Sequence, residues 1–288
     1  MLHGHAIGNS RRPYKHMRIG VVAPARPVTR ESSARMAAFM ALTYPEHEVV
    51  FHPQCYLSSG HFAGTDAERA AAFLEVANDP TIDAMWFARG GYGSNRILDA
   101  VMPHLGEAAR RKTYMGFSDM GFLLAALYAR GIGHPVHASM ASSIGRNDAG
   151  VDTGWALGWL IERDRRGLDP SLADGRPAAA FNLAILTSLI GSKYLPDLTD
   201  HVLMIEEVDE PLYRIDRMLF NMAHAEQLKG IAGIRLGAVT AIAENDPPFG
   251  ETVDEMILRW CREMGVPYLG RCAIGHISTN HVVPFGVA

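Results

Sequence analysis

KTYMGFSDMGFLLAALYARG, residues 112–131, joins a short apolar approach, a tight Gly116-Phe117-Ser118 turn and an apolar run of helical character. Together these make a strand-to-helix junction with one hydroxyl, that of Ser118, projecting from a sharp turn. Backbone N–H groups opening the helix would point at an oxyanion formed beside that hydroxyl, so the junction suits a nucleophilic serine. The same alternation extends upstream. MRIGVVAP, from Met17, reads as a buried strand ending at Pro24, ESSARMAAFMALTYP as a helix that Pro45 stops, and EVVFHP as a strand. DAERAAAFLEVANDP reads as an amphipathic helix, TIDAMWFARGG as a buried strand entering a glycine turn, and SNRILDAVMPHL as a helix with serine in capping position. Alternation of this kind predicts an α/β fold with a doubly wound, mostly parallel sheet, whose ligands gather beyond the carboxyl ends of the strands. RGGYG (89–93) and GFSD (116–119) both lie at such ends.

Around residues 165–181 the composition turns loop-like, with two prolines and many charges. The expected division is an N-terminal α/β domain over 17–165 carrying Ser118, a linker over 166–180 and a smaller second domain over 181–288. Within the last, NLAILTSLIGSKYLPDL reads as a buried helix, HVLMIEEVDE as a strand running into acids, and PLYRIDRMLFNMAHAEQLKG as a helix stopped by Gly230. GIRLGAVTAIAE then reads as a strand, ETVDEMILRWCREMG as a helix, and PYLGRCAIGHISTNHVVPFG as short strands and turns.

The chain has 288 residues, enough for about two domains. A formal charge of −4 provides no basic field for nucleic acid. Cys55, Cys261 and Cys272 are odd in number and lack a CxxC pair, which suggests neither a disulfide framework nor a cysteine zinc site and points to a reducing, cytoplasmic compartment. MLHGHAIGNSRRPYKH has no apolar core of the kind a secretory signal needs, so residues 1–16 are expected to be a disordered tail. No run approaches the roughly 18 apolar residues of a membrane span.

Four stretches have chemical potential, and each has an ordinary reading beside it. RGGYG is most simply a tight turn, but Arg89 suits a carboxylate, and Gly90 and Gly91 would let backbone N–H groups approach a ligand. Ser118 is most simply a helix cap; GFSDMG departs from the hydrolase elbow GxSxG because Gly121 stands one position late. Asp119 suits the positive end of the helix, and its N–H is a natural oxyanion donor. In IEEVDEPLYRIDR most charges read as a solvated face, whereas Glu206, directly after apolar VLMI, should sit at the edge of buried structure and need a partner such as a histidine. Among 13 histidines, His137 in HPVHASM and His276 in IGHIS stand nearest to strand ends.

RGGYG, GFSD, the EEVDEPLYRIDRML block, a glycine-flanked histidine and a closing VPFG occur in the order seen in the LD-carboxypeptidase family of serine peptidases, which the chain resembles from about Met17 to its end. The family includes murein tetrapeptide carboxypeptidases and microcin C self-immunity peptidases. The resemblance implies Ser118 as nucleophile, Glu206 as acid and His276 as base. The chemistry of acyl transfer then expects an oxyanion hole from backbone N–H groups of Gly91 and Asp119, Gly90 at the ligand, and the peptide's terminal carboxylate clamped by Arg89 or another arginine. The resemblance further implies a C-terminal β-rich domain that brings Glu206 and His276 over Ser118, a small peptide substrate, no metal or other cofactor, and a homodimer. Two departures stand out: Glu206-Glu207 replaces the family's usual ED, leaving Glu207 as a possible substitute, and His137-Ala138-Ser139 replaces HGP. Two rivals remain at this point. One is a metallohydrolase using His134 and His137, or His276 and His281, whose spacing lacks an obvious third ligand. The other is a solute-binding protein that holds a peptide without cutting it.

Overall fold

The computed structural model describes residues 16–144, 150–243 and 245–288. The expected N-terminal tail, apart from His16, lies outside them. The first sheet contains β1 (Arg18–Val22), β2 (Glu48–Phe51), β3 (Ala84–Phe87), β4 (Thr113–Gly116) and β5 (His134–His137), parallel in the order β2-β1-β3-β4-β5. Every residue of β3 (AMWF) and β4 (TYMG) is buried, as strands covered on both faces require. Among the described residues, five helices accompany this sheet: α1 (Arg30–Thr43), α2 (Asp66–Asn78), α3 (Leu98–Val101), α4 (Gly121–Ala129) and α5 (Val151–Glu162). Strand alternation sorts the side chains between two cores. Ala84 and Trp86 pack in one with Met36 and Met40 of α1 and Leu157 and Leu160 of α5. Met85 and Phe87 pack in the other with Phe73 and Val76 of α2 and Leu123 of α4.

The second sheet has four parallel strands in sequence order, β6 (Ala178–Asn182), β7 (Val202–Val208), β8 (Gly233–Thr240) and β9 (Tyr268–Arg271). With it go α6 (Leu183–Leu189), α7 (Leu212–Ala223) and α8 (Val253–Met264). A short last strand, β10 (Val283–Pro284), crosses back to pair antiparallel with β5 and makes the first sheet six-stranded. Phe181, Leu203 and Ile205 share the core of Phe87 and Leu123, so apolar packing is continuous between the sheets.

One local expectation gives way. SNRILDAVMPHL is not one helix but a 3-10 turn, the single turn of α3 and another 3-10 turn at Met102–His104. Ser94 does not cap it; its hydroxyl donates to the Asp119 carbonyl oxygen at 2.6 Å. Pro103, which cannot supply an N–H, stands where a continuous helix would need one. The segment 166–180 contains two 3-10 turns and the first residues of β6.

Strand order reverses between β1 and β3, the switch point at which a crevice opens beyond the carboxyl ends of a parallel sheet. The loops after β1, β3 and β4 therefore converge, carrying Arg26, the RGGYG turn and Ser118.

Candidate active site

β4 ends at Gly116; extended Phe117 follows, and Ser118 takes φ +58° before the single turn Ser118–Met120 leads into α4. Left-handed backbone at a non-glycine residue costs about 1–3 kcal/mol and persists where the surroundings enforce it. Neither Ser118 nor Phe117 supplies a side-chain cap to this turn, so the ordinary reading of Ser118 as a helix cap does not hold. Gly121, one position late for the usual elbow, lets α4 approach α6: a Cβ there would stand 3.1 Å from Ile185 Cγ2.

The surroundings that hold the turn are visible in the buried Asp119. Its carboxylate accepts from Ser94 N–H at 2.9 Å and Gly93 N–H at 3.4 Å, so the turn after β4 is tied to the turn after β3. Burial pushes the Asp119 carboxyl up to about 6, against the pull of those hydrogen bonds. The result is close approach of the RGGYG backbone to the serine. A Cβ on Gly90 would stand 3.3 Å from both Cβ and Oγ of Ser118, a tight contact that glycine avoids. Arg89 donates toward the Pro27 carbonyl at 3.5 Å.

Glu206, on β7, is 1% exposed, and its Oε2 meets His276 Nδ1 at 2.9 Å. Its other oxygen, Oε1, is buried without a partner among the described residues, so the imidazole is the one group bonded to this carboxylate. The His276 ring lies against Phe117, centroids 4.9 Å apart, and so stands beside the serine turn. Glu207 faces the other way, as its neighbour on a strand must. Its carboxylate accepts from Asn182 Nδ2 at 2.7 Å, Val208 N–H at 2.8 Å and Ala184 N–H at 2.8 Å, and thus holds the start of α6. Burial raises its pKa above the ordinary glutamate value. The possible substitute for Glu206 is committed elsewhere.

The loop carrying His276 is fixed in part by residues that the sequence did not single out, Asn280 and Asp169. Asn280 Oδ1 accepts from Gly275 N–H at 2.9 Å and lies 3.1 Å from His137 Nε2. Burial lowers the pKa of His137 and keeps it neutral, so Nε2–H donates to Asn280. Buried Asp169 accepts from Ala273 N–H at 2.7 Å. His281 stacks on Trp155, its Nδ1 near the carbonyls of Gly167 and Leu168. His137 and His281 are thus positioning groups, while His134 lies at the exposed start of β5. Among the described residues no three His, Cys, Asp or Glu side chains are arranged to hold a metal. Burial raises all three thiols, Cys55 to about 12 and Cys261 to about 11.

The LD-carboxypeptidase N-terminal domain model matches residues 19–138, and the C-terminal domain model matches residues 178–288. The chain belongs to the LD-carboxypeptidase family. It is a serine-type carboxypeptidase, a hydrolase. A Streptomyces coelicolor protein, provisionally named a carboxypeptidase, is 31% identical over 94% of this chain and 88% of its own length. The murein tetrapeptide carboxypeptidase of Pseudomonas aeruginosa is 23% identical over 93% of this chain and 91% of its own. In fold, this member of the family is similar to muramoyltetrapeptide carboxypeptidase from Oxalobacter formigenes, with a TM-score of 0.77 and 22% identity over 94% of this chain and 93% of that one. It is also similar to the microcin C7 self-immunity protein MccF, with a TM-score of 0.77 and 19% identity over 96% and 93%. Among the described residues no helix is long and apolar enough to cross a membrane.

Proposed function

We propose that the protein removes the terminal D-alanine of a murein tetrapeptide, cutting the bond from the L-centre of meso-diaminopimelate by a Ser118-His276-Glu206 triad. The observation that carries this reading is the 2.9 Å bond from the buried Glu206 carboxylate to His276 Nδ1, with that ring packed on Phe117, the residue before the strained serine. With Nδ1 donating to Glu206, Nε2 is the nitrogen left to take a proton. His276 accepts the Ser118 hydroxyl proton as Oγ attacks the scissile carbonyl, and Glu206 stabilises the imidazolium that forms. Backbone N–H groups of Gly91 and Asp119 hold the oxyanion, the approach of the first being allowed by glycine at position 90. The imidazolium then protonates the leaving amine of D-alanine, and water, deprotonated by His276, hydrolyses the tripeptidyl-Ser118 ester.

The murein substrate is supported by the names of the Pseudomonas and Oxalobacter relatives. With that substrate the proposal extends to a cytoplasmic homodimer that acts in peptidoglycan recycling. The test is D-alanine release from L-Ala-D-Glu-meso-diaminopimelate-D-Ala by the intact enzyme and by Ser118→Ala. Release by the intact enzyme, falling at least about 10³-fold in the variant, is expected. Equal release by both removes Ser118 from the mechanism, and release by neither removes this substrate.

A further inference from the structure

A carboxypeptidase that removes one residue must sense the carboxylate at the end of its substrate, and the substrate contact expected from the sequence, Arg89, has its guanidinium turned toward the Pro27 carbonyl. The side chain of a second arginine, Arg26, packs against the glycine turn. The space that a side chain at Gly91 would occupy is filled by Arg26: a Cβ built there would lie 2.4 Å from Arg26 Cδ and 2.7 Å from its Cγ. Gly91 also has φ +114°, so conformation and space both require glycine. Arg26 therefore lies along the backbone of one glycine, while Ser118 lies against the preceding one.

This placement is fixed from beneath. Arg69 is 1% exposed, and its guanidinium donates both to the Pro24 carbonyl and, at 2.8 Å, to the Gly93 carbonyl. One buried group thus pins the loop after β1, which carries Arg26, to the loop after β3, which carries the glycines. Neighbouring cations are occupied: Arg96 with Asp66 at 2.9 Å, Arg69 with Asp66 as well, and Arg30 over the Tyr56 ring. Arg26 is exposed and has no ion-pair or hydrogen-bond partner among the described residues.

We propose that Arg26 is the seat of the substrate's terminal carboxylate and the residue that makes the enzyme an exopeptidase. The inference rests on the triad reading for the position of the scissile carbonyl. When a single residue leaves, the terminal carboxylate lies about one residue length, ~3.8 Å, from that carbonyl. The same one-residue step separates Gly90, beside Ser118, from Gly91, under Arg26. A guanidinium presents a planar fork to a carboxylate, and such charge-assisted pairs are the strong ones. The site lies at the switch point between β1 and β3, where a ligand of this sheet is expected.

Binding tests this without requiring turnover. In a Ser118→Ala background, calorimetry would compare the tetrapeptide with a free terminal carboxylate against its C-terminal amide, with Arg26 intact, as Arg26→Ala and as Arg26→Lys. The expected result is that amidation and Arg26→Ala each weaken binding about 10–100-fold, that the two losses do not add, and that lysine restores part of the affinity. Equal binding of acid and amide with Arg26 present, a full preference for the acid retained in Arg26→Ala, or no binding of the acid at all would each overturn the assignment. Failure of the triad reading would instead appear as undiminished turnover by Ser118→Ala.

Discussion

At the level of single residues, the adjacent carboxylates on β7 divide the work by strand alternation. Glu206 turns to His276 and Glu207 to the first turn of α6. Glu206→Gln removes the charge that holds and stabilises the imidazole, so kcat should fall about 10²–10⁴-fold with little change in melting temperature. Glu207→Gln places an amide N–H₂ among three donors, and one of them must lose its acceptor. Stability should drop by about 1–3 kcal/mol while kcat in the folded protein stays within a few-fold of the original. Steady-state kinetics and thermal melts on the two variants check both, and a reversed pattern would reassign the acid. Glu206 was legible because an uninterrupted apolar VLMI precedes it, forcing a carboxylate into buried surroundings. Asn280 gave no such signal: a small polar residue in a turn-rich stretch reads as solvated, and its burial against His137 arises from pairing across 143 positions. Arg26 gave no signal for a similar reason, since its side chain fills the space beside Gly91, which belongs to another loop.

Among elements, the alternation of strands and helices before residue 130 was readable from long apolar runs bounded by proline and glycine. Three elements were not. β5 is four residues, HPVH, with a proline and two histidines; α5, VDTGWALGWLIE, contains two glycines; and β6 begins in a run of alanines that carry weak strand preference. Each is fixed by tertiary packing more than by propensity. The junction between the turns after β3 and β4 depends on Asp119, whose carboxyl is raised to about 6 in the fold. A carboxyl with a folded pKa above its unfolded value favours the native state below pH about 4, and that contribution, about 3 kcal/mol, is lost as pH rises through about 6. Denaturant melts between pH 4 and 7 should therefore show the wild-type protein losing stability relative to Asp119→Asn as pH rises. Parallel curves would mean that this carboxyl titrates normally.

Across the whole molecule, the first sheet positions Ser118 and the second Glu206, with the His276 loop between β9 and β10. That last strand returns to β5, next to the strand that leads into Ser118, so the loop is anchored to both sheets. Asp169 and the His281–Trp155 stack brace the same loop from the segment before β6. The two-sheet plan could be anticipated from composition and motif order, but the return of β10 could not, because two residues of strand leave no periodic trace. What this architecture accomplishes is to bring an imidazole, held by a buried carboxylate, against Phe117, the residue before a serine on a strained turn. Reaction with a serine-directed fluorophosphonate, followed by peptide mapping, tests that claim most directly. One adduct is expected, on Ser118, formed at least about 10²-fold more slowly in His276→Ala. An adduct at another residue, or labelling of Ser118 at an unchanged rate without His276, would contradict it.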